Sequence, residues 1–266
     1  MTIRPVNQTL NNLAVALIGI SLTAGNLVIS SPVSALTLIT DRSRLRANDR
    51  LDFSSLGQVF NPLAPSTTPD SFLPNTFSAT SDNGLELNLD IPTSNDPAST
   101  PPFIFQTTSL PVGIPTNFAD GDFLLFTGAD LSLFPSPGNP GPLTIDLATP
   151  VTGAGTQIAV DDTFSFTAFL SAFDDGGNLL GSFSVPGTSS GALDNSALFL
   201  GVTSESANIA RLVYSTDASN RAIGINTVSI STRTIPEPSA LFGLLVVAIS
   251  GISWFSSSQQ DSNLKR

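Results

Sequence analysis

The chain has 266 residues, 41% of them apolar, with ten basic against twenty-one acidic side chains and a net charge of −11. So acidic a balance lacks the basic footprint that nucleic acid requires, and it disfavours anionic lipid surfaces. Cysteine and histidine are both absent, which removes disulfides, zinc sites built on those residues, and Ser-His-Asp or Cys-His catalysis.

Residues 1–35 read as a secretory signal. Arg4 gives a positive start, Leu13 to Ile29 is mostly apolar, and Val33-Ser34-Ala35 supplies the small residues of a cleavage site before Leu36. This reading makes the Sec translocon and a signal peptidase partners of the chain. Residues 36–235 are the length of a single all-β domain. They hold seven arginines, no lysine and nineteen Asp or Glu, a net charge of −12, and sixteen phenylalanines for a core. The single lysine, Lys265, lies outside this stretch, so the domain has no lysine nucleophile.

Arg42, Arg44, Arg46 and Arg50, interleaved with Asp41, Asp49 and Asp52, read as a solvated, salt-bridged helix face. Thr40 or Asp41 would cap a short turn running through Arg46. Beyond it the pattern is that of strands. Leu85, Leu87, Leu89 and Ile91 alternate with polar residues, as do Leu143, Ile145 and Leu147, and then Phe164 and Phe166. A period of two marks half-buried strands. Further strands are expected at 51–53, 123–127, 157–160, 179–185, 197–202, 209–214 and 223–231. Residues 163–173 and 179–185 should form a hairpin around Asp174-Asp175-Gly176-Gly177-Asn178, whose glycines and asparagine tolerate the positive φ of tight reversals. The Pro- and Thr-rich stretches 61–76 and 92–117 are expected to be long loops. About ten short strands predict an all-β fold, an antiparallel β-sandwich of jelly-roll-like form, flanked by the signal helix and a C-terminal transmembrane helix.

Three acidic spots are candidate sites: Asp120-Gly121-Asp122, Asp161-Asp162 and the 174–178 turn. Calcium takes six to eight oxygen ligands, and none of these segments completes an EF-hand loop. All three are expected to be turns, with no metal and no cofactor. Only two glutamates lie in the domain, Glu86 and Glu205, and Glu86, on the polar face of a strand, is expected on the surface. A sugar-stacking surface would have Tyr214 as its single Trp or Tyr. No catalytic residue is assigned.

The C-terminal segment carries the second address. Pro236-Glu237-Pro238 precedes an apolar run, Leu241 to Phe255, with nine Leu, Ile, Val or Phe residues and no charge. From Pro238 to Ser258 a helix would be about 30 Å long, the thickness of a bilayer core. Lys265 and Arg266 would stay cytoplasmic. A Pro-x-Pro outside a helix is held extended, as a protease cleft needs. A Pro-Glu-Pro triplet, an apolar helix and a basic chain end, in that order behind a signal peptide, resemble the PEP-CTERM sorting domain of Gram-negative bacteria. In that family the basic cluster usually abuts the helix, whereas here Ser256 to Leu264 intervenes. The stretches 141–151, 153–159, 168–183 and 199–214 are also similar to the bodies of many such proteins.

The resemblance implies an exosortase as partner, transient anchoring in the inner membrane, cleavage near Pro236, Glu237 and Pro238, and release to the cell surface or outside. The domains are then 1–35 (signal), 36–235 (sandwich) and 236–266 (sorting segment). The expected function is a non-enzymatic exported surface or matrix protein, with extracellular polysaccharide as a candidate partner. A calcium-dependent carbohydrate-binding module is the alternative, and a carboxylate-based glycoside hydrolase using Glu86 and Glu205 the third.

Overall fold

The computed structural model describes residues 35–56, 72–111, 113–130, 132, 137–162 and 164–232. The signal segment and the sorting segment, with Pro236, Glu237 and Pro238, lie outside these residues. What they show is an all-β fold of two antiparallel sheets, and the only helical elements among them are two 3₁₀ turns.

The six-stranded sheet has the order β10-β9-β12-β7-β4-β3. Its members are β3 (Thr76–Thr80), β4 (Glu86–Asp90), β7 (Leu143–Val151), β9 (Phe164–Phe173), β10 (Leu179–Ser189) and β12 (Ile209–Thr216). Alternation works here because one face is dry and the other wet. Leu87, Leu89, Leu143, Ile145, Leu170 and Leu212 are buried, while Asn88, Asp90 and Arg211 face outward. The expected 163–185 hairpin is present as β9 and β10. Asp174 accepts hydrogen bonds from the backbone N–H of Asn178 (2.7 Å), and Gly177 has φ +77°.

The other sheet has eight strands: β1 (Thr37–Ile39), β11 (Leu198–Thr203), β8 (Gly153–Val160), β13 (Ile223–Ile225), β6 (Phe123–Phe126) and β5 (Phe103–Gln106) in that order, with β14 (Val228–Ser231) and β2 (Asp49–Leu51) branching from β8. This sheet is covered on both faces. One face meets the six-stranded sheet across the main core, where Ala154, Ile158, Leu200, Ile223 and Ile225 pack. The other lies under a second cluster of Phe103, Phe105, Phe118, Leu124 and Phe126 and a third of Ile39, Leu45 and Phe199. Every residue of β8 is consequently buried. Strands covered on both sides show no period of two. Sequence patterning therefore finds only the second half of β8 and assigns Phe103–Gln106 to a loop that proves to be β5; β1 and β3, which it also passes over, are short edge strands with exposed residues.

Tyr214 joins the two sheets. It rises from β12 through the core, fully buried, and its hydroxyl donates to the Leu200 carbonyl at 3.1 Å. Burial pushes its phenol above the ordinary tyrosine range. It is therefore withdrawn from any sugar-stacking role.

Candidate functional site

A groove of about 790 Å³ opens on the outer side of the eight-stranded sheet. Its base is built by four side chains from four segments: Arg42 from the first 3₁₀ turn (Arg42–Leu45), Asp122 before β6, Gln157 on β8 and Asn226 after β13.

The first segment forms as the cap pattern predicts. Asp41 is extended (φ −130°) and its Oδ1 accepts from the Ser43 N–H at 2.9 Å. The Ser43 hydroxyl donates to the same oxygen at 2.8 Å, and this bond, with the backbone one, holds the Asp41 carboxyl below its ordinary range. Arg46 then closes the turn in the left-handed region, φ 51°. The arginines do not form a mutually bridged helix face as expected from their spacing. The turn is a single 3₁₀ cycle, so Arg42 swings inward, whereas Arg50, on β2, pairs across to Asp82 at 2.9 Å. The expected strand 51–53 is likewise displaced: β2 ends at Leu51, and Asp52 starts a second 3₁₀ turn (Phe53–Leu56) by accepting from the Ser54 N–H.

Arg42 is seated by stacking. Its guanidinium carbon lies 5.3 Å from the centroid of the Phe199 ring. Phe199 in turn lies over Gly155 and Gly201, which face each other across β8 and β11. A Cβ on Gly155 would fall 2.9 Å from the tip of the ring and 2.5 Å from the Gly201 Cα. Two glycines thus make the flat seat on which ring and guanidinium are layered. Burial lowers the Arg42 pKa and the nearby Asp122 charge opposes it; an arginine remains charged throughout.

Asn226 is placed by a bulge. Strand 223–231, expected to be continuous, breaks into β13 and β14. Ile225 pairs with Ile158 and Ser229 with Gly155, so four steps on one strand match three on β8. One extra residue is accommodated, as bulges beside functional sites often do to re-aim a side chain. The Asn226 Oδ1 accepts from the Gln157 N–H (3.2 Å), standing in for a backbone acceptor in the ladder, and Thr156 donates its hydroxyl to the Asn226 carbonyl at 2.8 Å.

The four groups form one network. Arg42 Nη2 donates to Asn226 Oδ1 (2.7 Å) and Gln157 Oε1 (3.1 Å). Asn226 Nδ2 donates to Gln157 Oε1 (2.7 Å) and Asp122 Oδ2 (3.0 Å). Gln157 Nε2 donates to Asn195 Oδ1 (2.9 Å) and the Ala197 carbonyl (3.1 Å). Four non-glycine residues among those described have positive φ, and two of them, Arg46 and Asn195, line this groove. Such conformations persist where the surroundings over-determine them, and they cluster at binding sites.

Of the acidic spots expected from the sequence, only Asp122 reaches the groove. Gly121 beside it has φ +88° and makes the turn. Asp161 and Asp162 sit in the β8–β9 turn. Asp161 is half-buried and its pKa is raised to about 6, chiefly by desolvation and also by the neighbouring Asp162 charge; the Asp162 N–H and Arg221 act the other way. Both carboxylate oxygens of Asp174 are hydrogen-bonded by Asn178. Among the described residues no three His, Cys, Asp or Glu side chains are grouped to hold a metal. Glu86 begins β4 in one sheet and Glu205 follows β11 in the other, so sequence order alone does not pair them, and neither lines the groove. Gln157, Asn226 and Asn195 carried no signal in the sequence beyond their residue type, because the bulge and the four-segment convergence that unite them are tertiary.

No family model and no curated protein matches the chain. Two of the solved structures that are similar to it are the following. One is a DUF4465 family protein from Bacteroides caccae, with TM-score 0.33 and 9% identity over 74% of this chain and 99% of that one. The second is the module CsCBM6-3 from Clostridium stercorarium, solved in complex with cellobiose, with TM-score 0.20 and 10% identity over 61% of this chain and 86% of that one. Likeness at these scores carries no argument about this chain.

Proposed function

We propose that the protein is an exported, non-enzymatic surface or matrix component whose sandwich presents the Arg42–Asp122 groove to a ligand outside the cell. The groove is the observation that carries this reading. Its polar groups hold one another in a closed network, which is the arrangement of a rigid recognition surface. Export through the 1–35 signal, and sorting by an exosortase at Pro236-Glu237-Pro238 with a membrane helix behind it, belong to the same proposal. The order of these features along the sequence supports them. Jelly-roll-like connectivity is proposed too, since the chain changes sheet at each step from β6 to β9 and again from β10 to β13.

Intact mass spectrometry after expression in a Gram-negative host with an exosortase tests the proposal. The expected product begins at Leu36 and ends near Pro236. A cytosolic chain that keeps both Met1 and Arg266 would overturn it.

A further inference from the structure

We infer that the groove is a metal-independent site for a neutral sugar, gripped by two adjacent hydroxyls between the Arg42 guanidinium and the Asp122 carboxylate. This rests on the reading of the groove as an outward-facing recognition site, and it names the ligand class.

The spacing of these two charges is the first argument. Asn226 accepts from Arg42 through Oδ1 and donates to Asp122 through Nδ2. One planar amide therefore stands between a cation and an anion, and among the described residues the two form no ion pair. Both bonds from Arg42 leave from Nη2, and both bonds to Asp122 arrive at Oδ2. The remaining guanidinium donors and the Asp122 Oδ1 make no other bond among the described residues, and both side chains line the groove.

A hydroxyl is the group that fits such a pair, because it both donates and accepts. Of two neighbouring ring hydroxyls, one accepts from Arg42 and the other donates to Asp122. An anionic ligand drawn to Arg42 meets Asp122, and a cationic ligand drawn to Asp122 meets Arg42. The rim carries charges of both signs, Arg46 and Arg50 against Asp49, Asp52 and Asp82. Arg50 is paired with Asp82, and Asp49 is committed to donors from Arg50, Ser81 and Asn83. At longer range the −12 charge of residues 36–235 repels polyanions. The groove's volume of about 790 Å³ lies in the range of sites for small ligands.

No metal is needed to complete the grip. The carboxylates nearest the groove are each engaged separately, and the described residues contain no three-ligand cluster. This separates the inference from a calcium-bridged sugar site.

The test uses the exported product in affinity gels containing dextran, mannan or galactan as neutral probes, alginate as an acidic one and chitosan as an amino-sugar one, each with and without chelator. At least one neutral polymer should retard migration, and chelator should not change it. Asp122→Asn and Arg42→Lys should each weaken retardation about tenfold, the effect of one charged hydrogen bond, while Glu86→Gln leaves it unchanged. Thermal melts of the variants establish that each is folded. Retardation by alginate or chitosan alone, loss on chelation, wild-type binding by both folded groove variants, or no retardation by any polymer would each overturn the inference. None of those results touches the export proposal, which stands or falls on the mass and location of the product.

Discussion

Gly155 and Gly201 decide where Arg42 sits, although neither has a side chain to contribute. Gly155→Ala places a methyl 2.5 Å from the Gly201 Cα, a backbone atom that cannot swing aside. The strands must part or the Phe199 ring must lift. The expected cost is about 1–3 kcal/mol by chemical denaturation, together with weaker ligand retention because the guanidinium loses its platform. Tyr214→Phe removes the bond to the Leu200 carbonyl and leaves that acceptor buried. A loss of about 1–3 kcal/mol in urea unfolding is expected with the fold retained. Asp161 makes a prediction with a definite sign. Its carboxyl titrates near 6 in the folded chain against 3.8 ordinarily, so the folded state binds the proton more tightly. Its contribution is complete below about 3.8 and is lost as the pH rises through 6. Asp161→Asn should therefore flatten the stability profile between pH 4 and 7 and raise stability at neutral pH by roughly 1–3 kcal/mol, discounted for its half-exposed position. Equal pH profiles for variant and wild type would refute the assignment.

At the scale of elements, the six-stranded sheet was legible in the sequence except for its edge strand β3, and in the eight-stranded sheet β6 and β11 were legible, β8 by half, and β1 and β5 not at all. Leu85 to Ile91 and Leu143 to Leu147 alternate because their outer face is wet. Gly153 to Thr156 and Phe103 to Phe105 lie between two dry layers, where nothing selects polar residues at every second position. The site straddles that boundary. Asp41 as a cap and Asp122 as an acidic turn could be seen in the sequence, but the Asn226 bulge could not, since a one-residue excess appears only when β13 and β14 are laid against β8. Deleting Thr227 tests the bulge: Asn226 would then pair in line with Gln157, while Val228 and Ile230 keep their core facing opposite Thr156 and Ala154. A cooperative transition should persist in circular dichroism, and retention by a neutral polymer should fall because the Asn226 amide is no longer re-aimed into the groove. The β10 edge shows a different device. Asn117 donates to the outward Thr188 carbonyl at 2.8 Å. Pro186, two residues earlier, lacks a backbone donor on the same side, which blunts the edge against strand addition.

The described molecule is held chiefly by apolar packing. Leu, Ile, Val and Phe side chains fill the space between the sheets and the layer behind the second one. The ion pairs Arg50–Asp82 and Arg211–Asp146 are exposed, and pairs of that kind contribute about 0–1 kcal/mol each. Acidic self-repulsion is the larger long-range electrostatic effect, with net charge −12 over residues 36–235. Raising salt to 0.5 M should therefore raise Tm, by about 2–4 °C for each kcal/mol of repulsion screened. A fall in Tm, read by calorimetry, would show that ion pairs outweigh repulsion.

The groove lies on the back of β8, which has β11 on one side and β13 and β14 on the other. A polymer pulled from that position would load the middle of a layered body rather than a border strand. Many ladder bonds would share the force at once, and the few contacts to the polymer would give way first. Under tension the tether should let go before the body unravels, so the protein could grip, release and grip again without being spent.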